Sequence, residues 1–542
     1  MNKYTKKATF VAQTEDKGQE ILAFVSFLHS KKLIPSFLVY HKTRKQMEEN
    51  LMLTKRKQDI REQVQIVTMD ALVPKDHILR LVDEAIDFDF IYDLVVDQYC
   101  ADNGRPSLDP VVLIKLPVIQ YLCGIRSMRQ TIRDVEVNIA YRWFLGLDFN
   151  EAVPHFTTFG KNYSRRFKDT DLFEQIFMKI LEQCVKAGYV DQKTLFIDGT
   201  HVKARANRKK SQRVLVKKTV RHYETALQEE IARDREAHGK RPLRDKNGPD
   251  DPDDSSSMNA SDEENQSEHK TGTAGEYKDQ KTSTSDPESG WFHKGEHKSV
   301  FAYSVQCACD RNGWIMNYTI GPGNEHDSSA FWELYRQLKE NAPQTIVADA
   351  GYKTPAIARQ LILDGIKPNL PYTRPHTKDG FFFKKDYIFD EYYDCYICPN
   401  DQVLKYSTTN REGYREYKSD PEICQNCPDL KKCTQSKNHT KVVTRHVWAD
   451  YLEQCENIRY TIGSKEEYQL RKETIERVFG SAKEHHGMRY TQYVGKARVA
   501  MQIGLTLACL NMKKLANLLY RKRMRLGLPS RFTLFFHFSA AI

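Results

Sequence analysis

The 542-residue chain contains no apolar run of about 18 residues, the length a membrane-spanning helix needs. Lys115 and Pro117 break the best stretch, Val111 to Ile125, and Lys513 and Lys514 end another. A membrane-embedded protein is not expected. The N-terminus MNKYTKKATFVAQTEDKGQE has basic residues with no apolar segment and cleavage site directly behind them, so no export signal is expected and the cytoplasm is the expected compartment. Acid is missing from two long tracts: Lys203 to Arg221 holds nine Lys/Arg and no Asp/Glu, and His485 to Ile542 holds ten and none. The excess of acid sits elsewhere. Residues 241–290 carry 6 basic and 13 acidic side chains, which leaves the rest of a +11 chain at +18. A polyanionic partner is the first expectation from that distribution.

What is present is ample core material: 40% hydrophobic residues, 11% aromatic and 29% charged. Such a composition excludes a wholly disordered chain, and the length implies several structural units. Twelve cysteines in a chain expected to stay in a reducing compartment point to metal before disulfide.

Residues 1–51 lack an amphipathic pattern and are expected to be an appended extension, with Met52 as an alternative start. From 52 to 190 the period is helical, with Asp, Ser and Thr at caps and Gly at stops, giving an all-helical N-terminal domain that is the candidate DNA-binding unit. At Lys193 the pattern changes. TLFIDGTHV reads as a strand ending at Asp198; SVFAYSVQCACD and GWIMNYTIGPG read as paired strands around DRNG. FWELYRQLKENA, QTIVADAGY, TPAIARQLILDGI and KPNLPYT continue as helix, strand, helix, strand. The result is an α/β mixed-sheet core over 191–373 and 458–519. Two insertions interrupt it: a basic and charged one at 199–298, with an acidic loop too polar to fold, and a cysteine-rich one at 374–457. A basic and apolar tail fills 520–542.

Three carboxylates stand out by position: Asp198 and Asp349 at strand ends and Glu476 on a charged helix. Hard divalent ions take such oxygen ligands, and a pair of ions activates water and stabilises a leaving 3′ oxygen, so phosphodiester cleavage is the natural chemistry. Among 72 acidic residues, position alone does not select these three. Their local strings do. LFIDGTHVKA, IVADAGYKT and YQLRKETIERVFGSAK, the last containing Tyr468, Arg471, Glu476 and Lys483 with Lys472 alternative to Arg471 as the basic residue before Glu, resemble the DDE transposases of bacterial insertion sequences. GRPSLDPVVLIKLPVIQYLCGIRSMRQT, VPHFTTFGKNYSRR, ESGWFHKGEHKSVFAYSVQ and GNEHDSSAF extend the resemblance over Met52 to Leu519.

The resemblance implies an RNase H-like catalytic core and Mg²⁺ (or Mn²⁺) held by Asp198, Asp349 and Glu476. It implies a transposase that binds the double-stranded ends of its own element, cleaves strands and joins them to target DNA, as a homo-oligomer on DNA that associates with the nucleoid when bound. Tyr468, Arg471, Lys472 and Lys483 are the expected DNA contacts. On one continuous helix, Tyr468, Lys472, Glu476 and Lys483 fall at about 0°, 40°, 80° and 60°, a single stripe. Lys203 and Arg205 open the acid-free tract after Asp198 and suit phosphate contacts. His297, His326, His485 and His486 are read as structural hydrogen-bonding residues.

In the second insertion, Cys395 and Cys398 form one CxxC, Cys424 and Cys427 another after 25 intervening residues, and Cys433 follows. Two such knuckles suit a tetrahedral structural Zn²⁺ bound by four of the five. Two rival readings stay open: an RNase H-like nuclease without strand transfer, and a non-catalytic zinc-containing DNA-binding protein.

Overall fold

The computed structural model describes residues 66–100, 107–217, 222–243, 277–294, 298–374 and 377–527. The expected extension at 1–51, the acidic loop, His297 and residues 528–542 of the tail lie outside the described residues.

The caps read from the sequence start helices where they stand. Asp109 accepts from the amides of Val111 and Val112 at 2.6 and 3.3 Å, with Pro110 at the first position, and opens Pro110–Leu122. Ser127 accepts from Gln130 N at 3.2 Å and opens Met128–Val137, and Gly146 ends Ile139–Leu145 in the left-handed conformation. Such caps satisfy the first amides and last carbonyls that a helix leaves unpaired. The helices Ile78–Ala85, Pro110–Leu122 and Leu172–Lys186 all pack on Lys496–Leu526. That helix, whose middle is buried all round, also lies on the main sheet and continues through the first residues assigned to the tail. Apolar side chains of the helical region, such as Leu113 and Ile180, therefore share one continuous core with Phe196, Val305 and Ile346 of the sheet and Met512 of the long helix. The boundary expected at 190 is not a break in packing.

The sheet has eight strands. Among them are β1 (Thr194–Lys203), β2 (Ser211–Lys217), β3 (Tyr277–Ser283), β4 (Gly290–Lys294) and β5 (Lys298–Asp310). The others are β6 (Ile315–Pro322), β7 (Thr345–Val347) and β8 (Lys367–Asn369). Its order is β2-β3-β4-β5-β1-β7-β8, with β6 beside the second half of β5. β1 pairs antiparallel with β5 and parallel with β7, which pairs parallel with β8. The helices Asp327–Leu338 and Pro355–Leu363 make the crossovers that parallel pairs require. The expected strands and helices between Lys193 and Tyr372 form, with one change: β1 does not end at Asp198 but runs on to Lys203, because Gly199 to Lys203 keep their pairing with β5.

The first insertion contributes the charged helix legible in LQEEIARDREAHGKR and strands that its composition conceals. β2, β3 and β4 extend the sheet, and the helix Glu224–Ala237 docks on the second insertion. There Asp234, 6% exposed, meets the Arg415 guanidinium at 2.6 Å, and His238 meets the Asp394 carboxylate at 2.6 Å. The second insertion is a separate antiparallel sheet of five strands: β9 (Ile388–Asp390), β10 (Cys395–Ile397), β11 (Val403–Thr409), β12 (Tyr414–Lys418) and β13 (Val442–His446). It ends at His446. The next helix, Ala449–Arg459, packs on Pro355–Leu363 and β8 and so belongs with the main sheet.

Candidate active site

Parallel pairing brings two of the three expected acids together. Phe196 of β1 stands beside Val347 of β7, and the strands run the same way. Asp198 and Asp349 each lie two residues beyond that pair, Asp198 still within β1 and Asp349 past the end of β7, so both stand where the parallel pairing stops, the carboxyl end at which open α/β sheets place their ligands. Each acid is fixed by the backbone that follows it: Asp198 Oδ1 accepts from Gly199 N, and Asp349 Oδ1 from Gly351 N, both at 2.9 Å.

Burial pushes the Asp198 carboxyl up to about 6; Arg471 opposes the shift, and Asp349 and Asp327 add to it. Burial and like charge both favour the neutral form of Asp198. One guanidinium offsets them. Arg471, with its side chain 8% exposed, sets Nη2 3.0 Å from Asp198 Oδ2 and donates from Nη1 to the Tyr468 hydroxyl at 3.2 Å. Lys472 is exposed. Of the two basic residues left open by spacing, Arg471 is the one at the acids.

The single helix expected over Tyr468 to Lys483 is broken. Ser464–Gln469 passes into a tight turn at Leu470–Lys472, Thr474 sits at φ −104°, ψ −98°, and a new helix spans Ile475–His485. Thr474 turns its hydroxyl back to the Leu470 carbonyl at 2.7 Å, a bond that competes with regular helix, while the ion pair pulls Arg471 toward β1. The stripe of four residues is therefore two half-stripes. Glu476 and Lys483, seven residues apart, keep one face of the second helix. Lys483 donates to the Thr200 hydroxyl on β1, whereas Glu476 is exposed in the first turn. The structure brings together Asp198, Asp349, Arg471 and Tyr468 and does not bring Glu476 into contact with them. Lys203 and Arg205 are exposed and tethered: Lys203 N donates to Arg489 O at 3.2 Å, and Arg205 Nη1 to Gln492 O at 3.0 Å.

Of the histidines, His326 caps Asp327–Leu338 by accepting from Ser328 N, and His486 is buried against the Tyr121 carbonyl at 2.9 Å. Both are structural in these positions. Asp327, Gln306 and Tyr352, which adjoin the acids, had no assigned role in the sequence; the one signal was an acid at a helix start within GNEHDSSAF.

In the second insertion four of the five cysteines, Cys398, Cys424, Cys427 and Cys433, line one cavity of about 30 Å³. Cys395 does not line it and lies buried in β10, opposite Asp390 and Lys405. Polar hydrogens point at the sulfurs: Asn400 Nδ2 is 3.1 Å from Cys427 Sγ and Gln402 N 3.3 Å from Cys398 Sγ. Among the described residues, no group of three or more His, Cys, Asp or Glu is arranged as a metal-binding set, here or at the acids.

Two family models match the chain: "Transposase domain (DUF772)" over residues 67–165 and "Transposase DDE domain" over 397–516. The chain is a DDE transposase of the insertion-sequence type. As a DNA transposase it is an enzyme of metal-dependent DNA cleavage and strand transfer, and its DDE domain implies a divalent ion such as Mg²⁺. The donors there fit such an ion: two carboxylates of like charge, with Arg471 beside Asp198. No curated protein gives a significant match to this transposase. Among solved structures it aligns with "Cryo-EM structure of piggyBac transposase synaptic complex with hairpin DNA" at 10% identity over 85% of this chain and 84% of that one. The TM-score is 0.24, too low to carry an argument. Among the described residues, no helix is long and apolar enough to cross a membrane.

Proposed function

We propose that Asp198, Asp349 and Glu476 are the acids of this transposase, that they hold Mg²⁺, and that the main sheet is an RNase H-like core. The observation that carries the reading is the placement of Asp198 and Asp349 where the parallel pairing of β1 and β7 stops, with Arg471 paired to Asp198. When bound, the ion supplies charge that activates water and stabilises the leaving oxygen. The remaining work falls to side chains of the chain. Arg471 exchanges Asp198 for a DNA phosphate, oriented by Tyr468, and Glu476 joins the two aspartates in the DNA-bound state. Lys483, Lys472, Lys203 and Arg205 hold the backbone of the ends of the transposase's own element by charge. The helical region recognises those ends, and copies of the chain assemble on DNA, bound to the nucleoid in the cytoplasm. Asp349→Asn tests the reading: cleavage of the element ends is lost while binding to them stays.

We assign the cysteine cavity to one structural Zn²⁺ held by Cys398, Cys424, Cys427 and Cys433, with Cys395 left as a core residue. Four thiols around one small cavity, two of them facing N–H donors, support this ligand set. Metal analysis of protein purified under reducing conditions tests it: one zinc per chain in the wild type, and none in Cys424→Ser/Cys427→Ser.

A further inference from the structure

We infer that Asp327 is a positioning residue beside the cation site, an acid additional to the three proposed ligands that fixes the spacing and charge of Asp198 and Asp349. The inference deepens the reading of those two residues as cation ligands and rests on it.

Asp327 is the first residue of the helix Asp327–Leu338, where a carboxylate is favoured by the unpaired amides and the helix dipole. Its carboxylate lies between the segments that follow Asp198 and Asp349. A β-carbon on Gly199, the residue after Asp198, would stand 2.7 Å from Asp327 Oδ1. One on Gly351, in the turn after Asp349, would stand 3.2 Å from Asp327 Oδ2 and equally far from Asp349 Oδ1. Two glycines therefore make room for one carboxylate, each beside an expected ligand.

A buried polar chain sets its orientation. Gln306 Nε2 donates to Asp327 Oδ1 at 2.9 Å and to Ser304 Oγ at 3.1 Å, and the Tyr352 hydroxyl donates to Gln306 Oε1. Gln306 is 1% exposed and Tyr352 fully buried. A buried amide with both ends engaged cannot swing, so Asp327 Oδ1 is pinned and Oδ2 is directed toward the Asp349 turn. The sheet thus holds three negative groups at one edge against the single guanidinium of Arg471. Such a surplus costs stability unless a cation enters, and it raises the affinity for one.

Calorimetric titration of Mn²⁺ into the full-length protein, bound to a duplex carrying the element end, tests this. Asp327→Asn keeps an oxygen for Gln306 and removes only the charge; it is expected to weaken Mn²⁺ binding about tenfold with a thermal midpoint no lower than that of the wild type. Asp327→Glu restores the charge and is expected to recover most of the affinity. Gly199→Ala, whose methyl group displaces both Gln306 and Asp327, is expected to weaken binding as Asp327→Asn does. Wild-type affinity in Asp327→Asn overturns the inference. Asp198→Asn separates the two levels of the account: if it too binds Mn²⁺ normally, the reading of Asp198 as a ligand fails. If it alone loses binding, only the role of Asp327 falls.

Discussion

The main sheet and the cysteine-rich sheet are built on opposite economies. The first buries whole side chains on both faces: Phe196, Ile197, Phe331, Leu334, Trp314 and Met512 belong to a core that runs without interruption from the helical region to the long C-terminal helix. The second has five buried hydrophobics, Tyr387, Tyr396, Leu404, Tyr417 and Val443, three of them tyrosines. A core of five residues does not offset the entropy of ordering some sixty, so a unit of that size needs a staple or a neighbour. It has the neighbour, the helix Glu224–Ala237 docked through Asp234, Arg415 and His238; the proposed zinc among the thiols around one cavity would be the staple. Burial positions the acids; polar and sulfur contacts hold the insertion.

The comparison breaks most visibly if a cut in either sheet has the same effect. Phe196→Ala, at the centre of the large core, is expected to lower global stability by about 3–5 kcal/mol, measured by denaturant unfolding. Cys424→Ser/Cys427→Ser is expected to leave the main thermal transition in place. It should also expose 388–446 to proteolysis, because metal binding in so small a unit is folding energy. Within the site, Arg471→Ala is expected to slow single-turnover cleavage on the order of 10²-fold, and Lys472→Ala by less than about threefold, since only Arg471 reaches Asp198.

The smallest expected effect concerns His486, which ties the end of the Ile475–His485 helix to Tyr121 in the helical region. Burial, then the nearby Lys513 charge, lower its pKa from 6.5 to about 4 despite the Tyr121 carbonyl. The folded state therefore refuses a proton that the unfolded state accepts, and stability is lost as pH falls from about 6.5 toward 4. Between pH 7 and pH 5 the wild type should lose about 2 °C more in thermal midpoint than His486→Gln.

The strands and helices around the acids were legible because their signal is local. LFIDG, VQCACD and QTIVADAG are apolar runs of strand length, and GNEHDSS and KTPAI carry their own caps. β2, in SQRVLVK, was hidden within the basic tract that follows Asp198, and the three-residue strands β9 and β10 are too short to show a period. The break at Thr474 was not legible for a different reason. Thr474 disfavours a continuous helix in LRKETIE only weakly by propensity; the turn also needs Arg471 reaching Asp198, a partner 273 positions away. Asp327 was missed likewise, since what distinguishes it is its place between Gly199 and Gly351.

The central claim is that Asp198 and Asp349, side by side at the edge of two parallel strands, are the acids of strand cleavage and joining. Purified wild type, Asp198→Asn and Asp349→Asn should be incubated with Mg²⁺, labelled element ends and a target plasmid, and joined product measured beside DNA binding. Joined product is expected from the wild type alone, with ends bound by all three proteins. Joined product from either variant at near wild-type yield would contradict it.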